Sequence, residues 1–551
     1  MPQSDFTQVT VTLKPAAAPR PSFGVSMLLE SLTEAQYLAI GTDRTALLTS
    51  ETWAADLAAL GITDGEQAYE NVQAHFSGAR SPDKAYLGKR GKDRAQVKTI
   101  TIPASPADGV YAVVVNGLTY SFAASSSTQA DVRTGLLAAI GTPAWGTATA
   151  GGAGEILLTA GTAGVGLTTV LSSPSSSMTI ATTTTAFVAA VAQVWTIDIN
   201  TAALGPYVLT VQTSTGQKTY THVATSGATL QTIRDAIKAL YDADPSDLFG
   251  ATMTAVSTDQ GTLTASLAGR PGTVTLTSPA ADATATVTTA NYGIIDDLDA
   301  AKADQPEWYM ALPGTRVAAE LLLCDTWVAG IGIYERYMWL GQTSDAAVLT
   351  SGASVAATLK ARATLRTQLC YHPIDAEGFA AAWAGDVLTD RAGQVSWVAR
   401  PLTGLTGSVL TPSQAANLRA NEVSYLERFA ARSQNIANGG YSMGGRPIDI
   451  MRAIDTFASN CEIALMDLLV SSRILPYTDA GVELARGVLL QEFSNAVSQG
   501  YAVEGSLVLN KPKISDALTA DRVRGIMPTF VGSATFQAGA YKVIANFEVE
   551  Q

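Results

Sequence analysis

The middle of the chain is written twice, and that constrains the fold more than any other feature. Tyr111-Ala-Val-Val-Val, then Thr119-Tyr120-Ser121-Phe122, then a helical stretch from Thr128 to Ile140 recur as Tyr207-Val-Leu-Thr-Val, Thr219-Tyr220-Thr221-His222 and Thr229 to Leu240. A period of roughly 100 residues exceeds the 20–50 of a solenoid, so it implies two copies of one small module. Each copy predicts a hairpin, a helix and further strands, for example Glu155 to Thr159 in the first and Thr273 to Thr277 in the second, each followed by turn-rich sequence. His222 falls at an alternating strand position with no second ligand nearby, so it is read as structural.

Composition shifts near Thr99 and again near Tyr292: between them lie Thr, Ser, Ala and Gly with few charges, while most arginines sit in the flanks. The middle is therefore read as an insertion. In the first flank, Thr63-Asp-Gly-Glu66 has the form of a capping box. It opens a helix with Tyr69, Val72 and Phe76 on one stripe and an end at Gly78, followed by a strand from Lys84 to Gly88. His75 is expected at the edge of that helix's buried face. After the insertion, strands are predicted over Trp308 to Leu312, Tyr337 to Leu340 and Gln368 to Tyr371, with helices over Arg316 to Ala329 and Ala356 to Arg366. Strand and helix alternating in this way predict an α/β sheet with helices on its faces. Met451, Ile454, Phe457 or Ala458, Cys461, Leu465 and Leu468 then recur at helical spacing, with Pro447 suited to the first turn. A second helix is expected from Ala480 to Gln499, closed by Gly500, and Pro512 and Pro528 bracket a linker region.

Both ends read as lone strands. Val9, Val11 and Leu13 alternate with polar residues at the start, and Tyr541, Val543, Ala545, Phe547 and Val549 form the same two-residue pattern at the finish. Unpaired backbone beside an apolar face invites a second chain to complete the ladder, so these eight residues are expected to form intersubunit strand arms. Pro15 to Pro21 would be a stiff spacer, with Gly532 and Gly539 giving play at the other end. The expected division is an arm over 1–22, a first core part over 23–98, modules over 99–191 and 192–292, a second core part over 293–530 and an arm over 531–551.

At 551 residues the chain is too long for one hydrophobic core. Charged residues at 15% against 47% hydrophobic argue against disorder and for large buried or subunit-facing area. A net charge of −13 makes nucleic acid and an anionic membrane poor partners. Cys324, Cys370 and Cys461 are far apart in apolar surroundings, which predicts buried free thiols. Neither an export signal nor a span of about 20 apolar residues is visible.

Chemistry is sparse. Gly440-Tyr441-Ser442-Met443-Gly444 fits the pattern that exposes a nucleophilic serine, but the preceding Glu427 to Ala437 reads as helix and loop where an elbow needs a strand. No histidine follows Ser442 to act as base. Cys370 and His372 share a strand face without the geometry for proton transfer, and Asp296-Asp297 reads as a solvated helix start. No phosphate-binding loop and no metal-ligand pattern is present, so the expectation is no enzyme, no cofactor and no metal site.

Taken in order, several stretches of the flanks resemble the contractile tail sheath proteins of myovirus-type bacteriophages. They are Pro15-Ala-Ala-Ala-Pro19-Arg20-Pro21-Ser22-Phe23-Gly24, Arg80-Ser-Pro82-Asp-Lys84-Ala-Tyr86-Leu-Gly88-Lys-Arg90, Trp308-Tyr309, Gly341-Gln-Thr-Ser-Asp345, and Tyr371-His372-Pro373. Trp397 with Leu402-Thr-Gly404, Ile448-Asp449-Ile450-Met451-Arg452-Ala453-Ile454-Asp455, and Pro476-Tyr477-Thr478-Asp479-Ala480-Gly481 complete the series. The resemblance covers about Ser4 to Arg90 and Tyr292 to Gln551 and leaves out the repeated insertion. It implies a multidomain α/β (α+β) protein whose sheath-type core has a mixed sheet and helices, with two inserted β-rich modules and extended terminal strand arms. It also implies a structural virion protein, assembled in the bacterial host cytoplasm, with the chain itself, a tail tube protein, and baseplate and tail terminator proteins as partners. A tube or baseplate component and a surface adhesin with repeated β modules are the alternatives, and a hydrolase built around Ser442 comes last.

Overall fold

The structure, a computed structural model, describes residues 23–537 apart from 79, 175–176, 189, 214–215, 245–251, 266–271, 332–334, 393–394 and 430–432. From Phe23 the chain forms β1 (Ser26–Glu30), α1 (Glu34–Ala39), β2 (Thr45–Thr49), α2 (Trp53–Ala59), α3 (Gln67–Phe76) and β3 (Lys84–Lys89), then leaves through the short β4 (Lys92–Asp93).

Between this first flank and the second, one topology is built twice. The first repeat comprises β5 (Val97–Thr101), β6 (Gly109–Val115), β7 (Leu118–Ala124), α4 (Gln129–Ile140), β8 (Gly146–Ala150), β9 (Glu155–Ala160), β10 (Thr169–Ser172) and β11 (Thr179–Thr184). A two-residue strand, β12 (Phe187–Val188), turns back to pair with β4. The second repeat comprises β13 (Val194–Asp198), β14 (Gly205–Thr213), β15 (Gly216–Ala224), α5 (Leu230–Asp242), β16 (Thr252–Ala255), β17 (Gln260–Thr264), β18 (Gly272–Thr277) and β19 (Thr284–Thr289). Sheets ordered β10-β6-β7 and β11-β5-β9-β8 in the first correspond strand for strand to β18-β14-β15 and β19-β13-β17-β16 in the second. Each repeat closes its own apolar core, Tyr111, Val113, Val132, Leu136 and Leu158 in one and Tyr207, Leu209, Ile233, Ile237 and Leu263 in the other. Capping boxes at Thr128/Asp131 and Thr229/Thr232 start the two helices at matching points. Glu155–Thr159 and Thr273–Thr277 are both strands, but they lie in different sheets and are not counterparts.

The chain then resumes with α6 (Ile294–Asp304), β20 (Met310–Pro313), α7 (Ala318–Gly330), β21 (Met338–Thr343), α8 (Val355–Arg362), β22 (Thr367–Tyr371), α9 (Phe379–Leu388), β23 (Arg400–Leu402), α10 (Pro412–Ala420), β24 (Ser424–Phe429) and β25 (Gln434–Asn438). Strands from both flanks build one sheet, β2-β3-β1-β20-β21-β22-β24-β25-β23, parallel from β3 to β24 and antiparallel at both margins. Its central strands are buried from end to end, as a parallel sheet covered on both faces requires. Strand alternation sends Leu28, Met310 and Leu340 against α3 and α9, and Met27, Leu29 and Trp339 against α6, α7 and α8. Where α3 crosses α9, a Cβ on Gly385 would sit 2.1 Å from the His75 carbonyl oxygen, so only glycine permits that approach.

The structure corrects several expectations. The strand predicted from Trp308 begins at Met310; Trp308 instead packs against Trp327 and Tyr337, with ring centroids 5.9 and 4.4 Å away. Helix α8 stops at Arg362 rather than Arg366, because Ala363 adopts a left-handed conformation (φ +51°) that ends it. Thr63 and Glu66 do interact, but Thr63 donates from its amide and hydroxyl to Glu66 (3.0 and 2.8 Å), and Glu66 itself is the N-cap. Within the stretch from Glu427 to Ala437, the residues up to Phe429 and from Gln434 belong to the antiparallel strands β24 and β25, not to a helix.

Candidate assembly surface

The last part of the chain is a helical hairpin, α11 (Ile448–Ser471) and α12 (Asp479–Ser498), followed by β26 (Val508–Leu509), α13 (Thr519–Val523) and β27 (Gly532–Ser533). Pro447 is the N-cap of α11 rather than part of its first turn. Between Pro512 and Pro528 the chain is not a bare linker, since it contains α13.

Three buried charges key α11 to the core. Asp455 accepts from Tyr309 (2.8 Å) and takes Arg366 on both oxygens (2.7 and 2.6 Å). Glu462 pairs with Arg336. Arg452 has no carboxylate partner among the described residues; its guanidinium donates to the Phe23 carbonyl twice (3.0 and 2.8 Å) and to those of Val387, Leu388 and Asp390 (3.0, 3.0 and 2.7 Å). Val387 and Leu388 end α9, where unpaired carbonyls carry the negative end of the helix dipole. Burial lowers the Arg452 pKa to about 10, so the group stays charged. Phe23, where the described chain begins, is thus pinned to α11. At the other limit, the Gln537 amide and side chain bond to Tyr501 and Gly500 (3.0 and 2.8 Å), just past α12.

Within itself the hairpin is well packed: Phe457, Cys461, Leu465, Leu489 and Phe493 are buried together between α11, α12 and the segment that follows them, in a cluster separate from those of the main sheet. Cys461 lies in the packing stripe, and burial pushes its thiol up to about 12. Away from the core the hairpin is unsaturated. Of 25 large hydrophobic side chains exposed among the described residues, 12 lie between Ile463 and Val531. The three most exposed of them are Val470 (75%) and Ile474 (80%) at the hairpin's tip and Val523 (85%) in α13; Tyr477 bonds the Ile526 carbonyl (2.9 Å), tying the segment after α13 to the tip. Beside the hairpin, β26 and β27 pair, among the described residues, with each other over two residues, next to an apolar cavity of about 80 Å³ lined by Phe457, Leu489, Leu507 and Phe530. Short, open strands beside apolar surface are a template for another strand.

The expected arm residues, Val9, Val11, Leu13, Tyr541, Val543, Ala545, Phe547 and Val549, lie outside the described residues. Gly532–Ser533, the first part of the segment expected as a C-terminal arm, pairs within its own chain.

The chemical candidates sit in packed surroundings. Ser442 does follow a strand and precede a helix, contrary to the sequence reading, but it is fully buried and its Oγ accepts from the Arg446 amide (3.2 Å). Cys370 is buried in β22 with its thiol pKa raised by desolvation, and His372 bonds Glu377 (2.8 Å). His222 occupies in β15 the place that Phe122 holds in β7, each paired with a buried tyrosine. His75 is no boundary residue: it is wholly buried between Ser26 Oγ (2.7 Å) and the Ala381 carbonyl (2.9 Å), and desolvation lowers its pKa to about 4. Among the described residues no group of His, Cys, Asp or Glu could hold a metal ion, and no helix is long and apolar enough to cross a membrane.

Sequence reasoning missed the joint between core and insertion. Asp296 does cap the start of α6, accepting from the Gly293 amide (2.8 Å), but Asp297 is fully buried rather than solvated. It also missed a short repeat that was there to find: Gln96-Val-Lys-Thr-Ile-Thr-Ile and Gln193-Val-Trp-Thr-Ile-Asp-Ile, which begin the two repeats.

No protein-family model matches the chain, and no curated protein does. Among solved structures it is similar to a sheath tail protein from Listeria innocua, at 8% identity and a TM-score of 0.39 over 90% of this chain and 89% of that one. A chain of the anti-feeding prophage baseplate matches at 13% identity and 0.38, over 47% of this chain and 73% of that one. A chain of the sheath complex of an extracellular contractile injection system, in its contracted state, matches at 12% and 0.37, over 47% and 75%. Likenesses at these scores do not by themselves reach a shared function.

Proposed function

We propose that the chain is the structural subunit of a contractile tail sheath, polymerising around a tail tube through strand-exchanging ends and contracting to drive the tube through a host envelope. The observation that carries this reading is the hairpin surface: exposed apolar side chains are concentrated there, beside a two-stranded ladder that no other described strand extends and an apolar cavity. A surface of this kind is expected to be covered by a partner. The ordered motifs from Pro15 to Gly481 and the strand patterns at both ends fit the same reading.

On this proposal the arms are residues 1–22 and 531–551, the latter rooted where Gly532–Ser533 pairs with β26, the core comprises the two flanks, and the repeats project from it. An arm with about five residues in a ladder contributes several net hydrogen bonds of ~0.5–1.5 kcal/mol each, plus apolar burial at ~25 cal/mol per Å². Every subunit both donates and accepts arms, so the lattice holds while rigid cores slide into a denser packing. The contraction needs no nucleotide and no catalytic group. Partners are other copies, the tube, and baseplate and terminator proteins; nucleic acid and membrane have no part.

Electron microscopy of the purified protein tests this directly, with long hollow polymers expected. Deleting Met1 to Lys14 or Tyr541 to Gln551 should give folded monomers that do not polymerise; long tubes from either truncated protein would refute the mechanism.

A further inference from the structure

The insertion leaves the core at Gly91 and returns at Tyr292, 201 residues later, and both passages meet the same side chain. Asp297 Oδ1 accepts from the Gly91 amide (2.8 Å), the Tyr292 hydroxyl (2.8 Å) and Arg44 Nη2 (3.2 Å). Its Oδ2 lies 3.6 Å from Arg90 Nε, and the Arg90 guanidinium forks onto Glu320 (2.6 and 3.2 Å). Arg44 also donates to the Gly91 and Lys89 carbonyls (2.7 and 3.1 Å) and to the hydroxyls of Tyr37 and Tyr292 (2.7 and 3.1 Å). Asp93, partly exposed, lies 3.8 Å from Arg44 Nη1, so two arginines and three carboxylates surround the two crossing strands, with Asp297 the fully buried one. Beyond Tyr292, the neck of the second repeat is a single bridge, Val191 with Tyr292 (2.9 and 3.2 Å).

We propose that Asp297 is a positioning residue, the keystone that locks the outgoing and returning passages of the inserted repeats to the core. A carboxylate there does what no packing contact does: it binds one strand through a backbone amide and the other through a side-chain hydroxyl, and it faces both arginines, where Glu320 and Asp93 each face one. The inference is independent of the sheath reading.

Hydrogen exchange on the full-length protein tests it. In Asp297→Asn, segments covering Gly91 and the Val191–Tyr292 bridge should exchange about tenfold faster or more, while Met310–Pro313 in the main sheet and Ile233–Tyr241 in the second repeat keep their rates. Unchanged exchange at the joint would overturn the proposal. Equal acceleration in the main sheet would also overturn it, making Asp297 a core residue only. Tyr292→Phe, which keeps every charge, should loosen the same segments to a smaller extent; if Asp297→Asn does not fold, an unchanged joint in Tyr292→Phe overturns the proposal on its own.

Discussion

The two repeats share a topology and differ in how they are held. Gln96 and Gln193 stand at the same point before the first strand of each, and each uses its side-chain oxygen as a latch, accepting from the amides of Leu167 (2.7 Å) and Gly272 (3.2 Å). Gln96 goes further: its amide nitrogen donates to Glu34 of α1 (2.9 Å), whose carboxylate also accepts from the Ala186 amide (2.7 Å). Phe187 then stacks on Tyr37 at 4.2 Å, and Leu38 packs over Gly166. Among the described residues the second repeat has no comparable contacts, and the position of Lys98 in the first is taken by the buried Trp195 in the second. Inward-facing residues fix the architecture; a few edge contacts decide whether a repeat is fastened or hung.

The interiors also show paired adjustment. A Cβ on Gly135 of α4 would lie 2.2 Å from the Phe122 ring, whereas in the second repeat the equivalents are Ala236 and the smaller ring of His222. The helix carries glycine where the strand carries the larger ring.

The largest effect should separate the core from both repeats. Glu30, buried beside Asn71 (2.6 Å), has its pKa raised to about 7 by desolvation. The native carboxyl therefore holds a proton that the unfolded one has released, so its contribution is complete below the unfolded value and is lost as pH rises through 7. Relative to the parent, Glu30→Gln should gain about 3 kcal/mol of core stability between about pH 5 and pH 8, with both repeats unchanged when unfolding is followed by hydrogen exchange. His75 slopes the other way, losing stability as pH falls from 6.5 towards 4, and is left in place by that substitution.

Next, Glu34→Ala should make the first repeat resemble the second. Leaving the Ala186 amide and the Gln96 side chain without their acceptor costs about 2 kcal/mol and should appear as faster exchange at Arg94 and Ala186, not in α5. Smaller still are the helix exchanges. Gly135→Ala should destabilise the first repeat by about 1 kcal/mol, overpacking outweighing the better helix former, and Phe122→His in the same chain should recover it. Ala236→Gly should cost the second repeat about 0.5–1 kcal/mol, with no such rescue, because there the alanine already fits.

Much of this was legible in the sequence because hydrophobic period is local information. The repeats, the two long helices and the central strands all announce themselves through which side chains recur at which spacing. What stayed hidden depends on contacts distant in sequence. Asp297 has the local grammar of a solvated helix start, and only the return of Gly91, more than two hundred positions earlier, buries it. His75 reads as a margin residue until α9 arrives to cover it. The strands at Glu427 to Ala437 were misread because their outer halves are polar, and the hairpin's exposed apolar residues look like ordinary helix content until one sees that nothing in the described chain covers them.

The seat of Arg452 has an uneven tolerance for change. Everything it grips is main chain, at positions 23, 387, 388 and 390, and every amino acid brings the same carbonyl. Substitution at those four places cannot delete a partner, whereas replacing the arginine abandons all of them at once. The polar grip on the Phe23 main chain is therefore spelled by a single letter, while Val387 and Leu388 are held to their identities by apolar packing instead and the Phe23 ring by its edge contact with Tyr309 (5.0 Å).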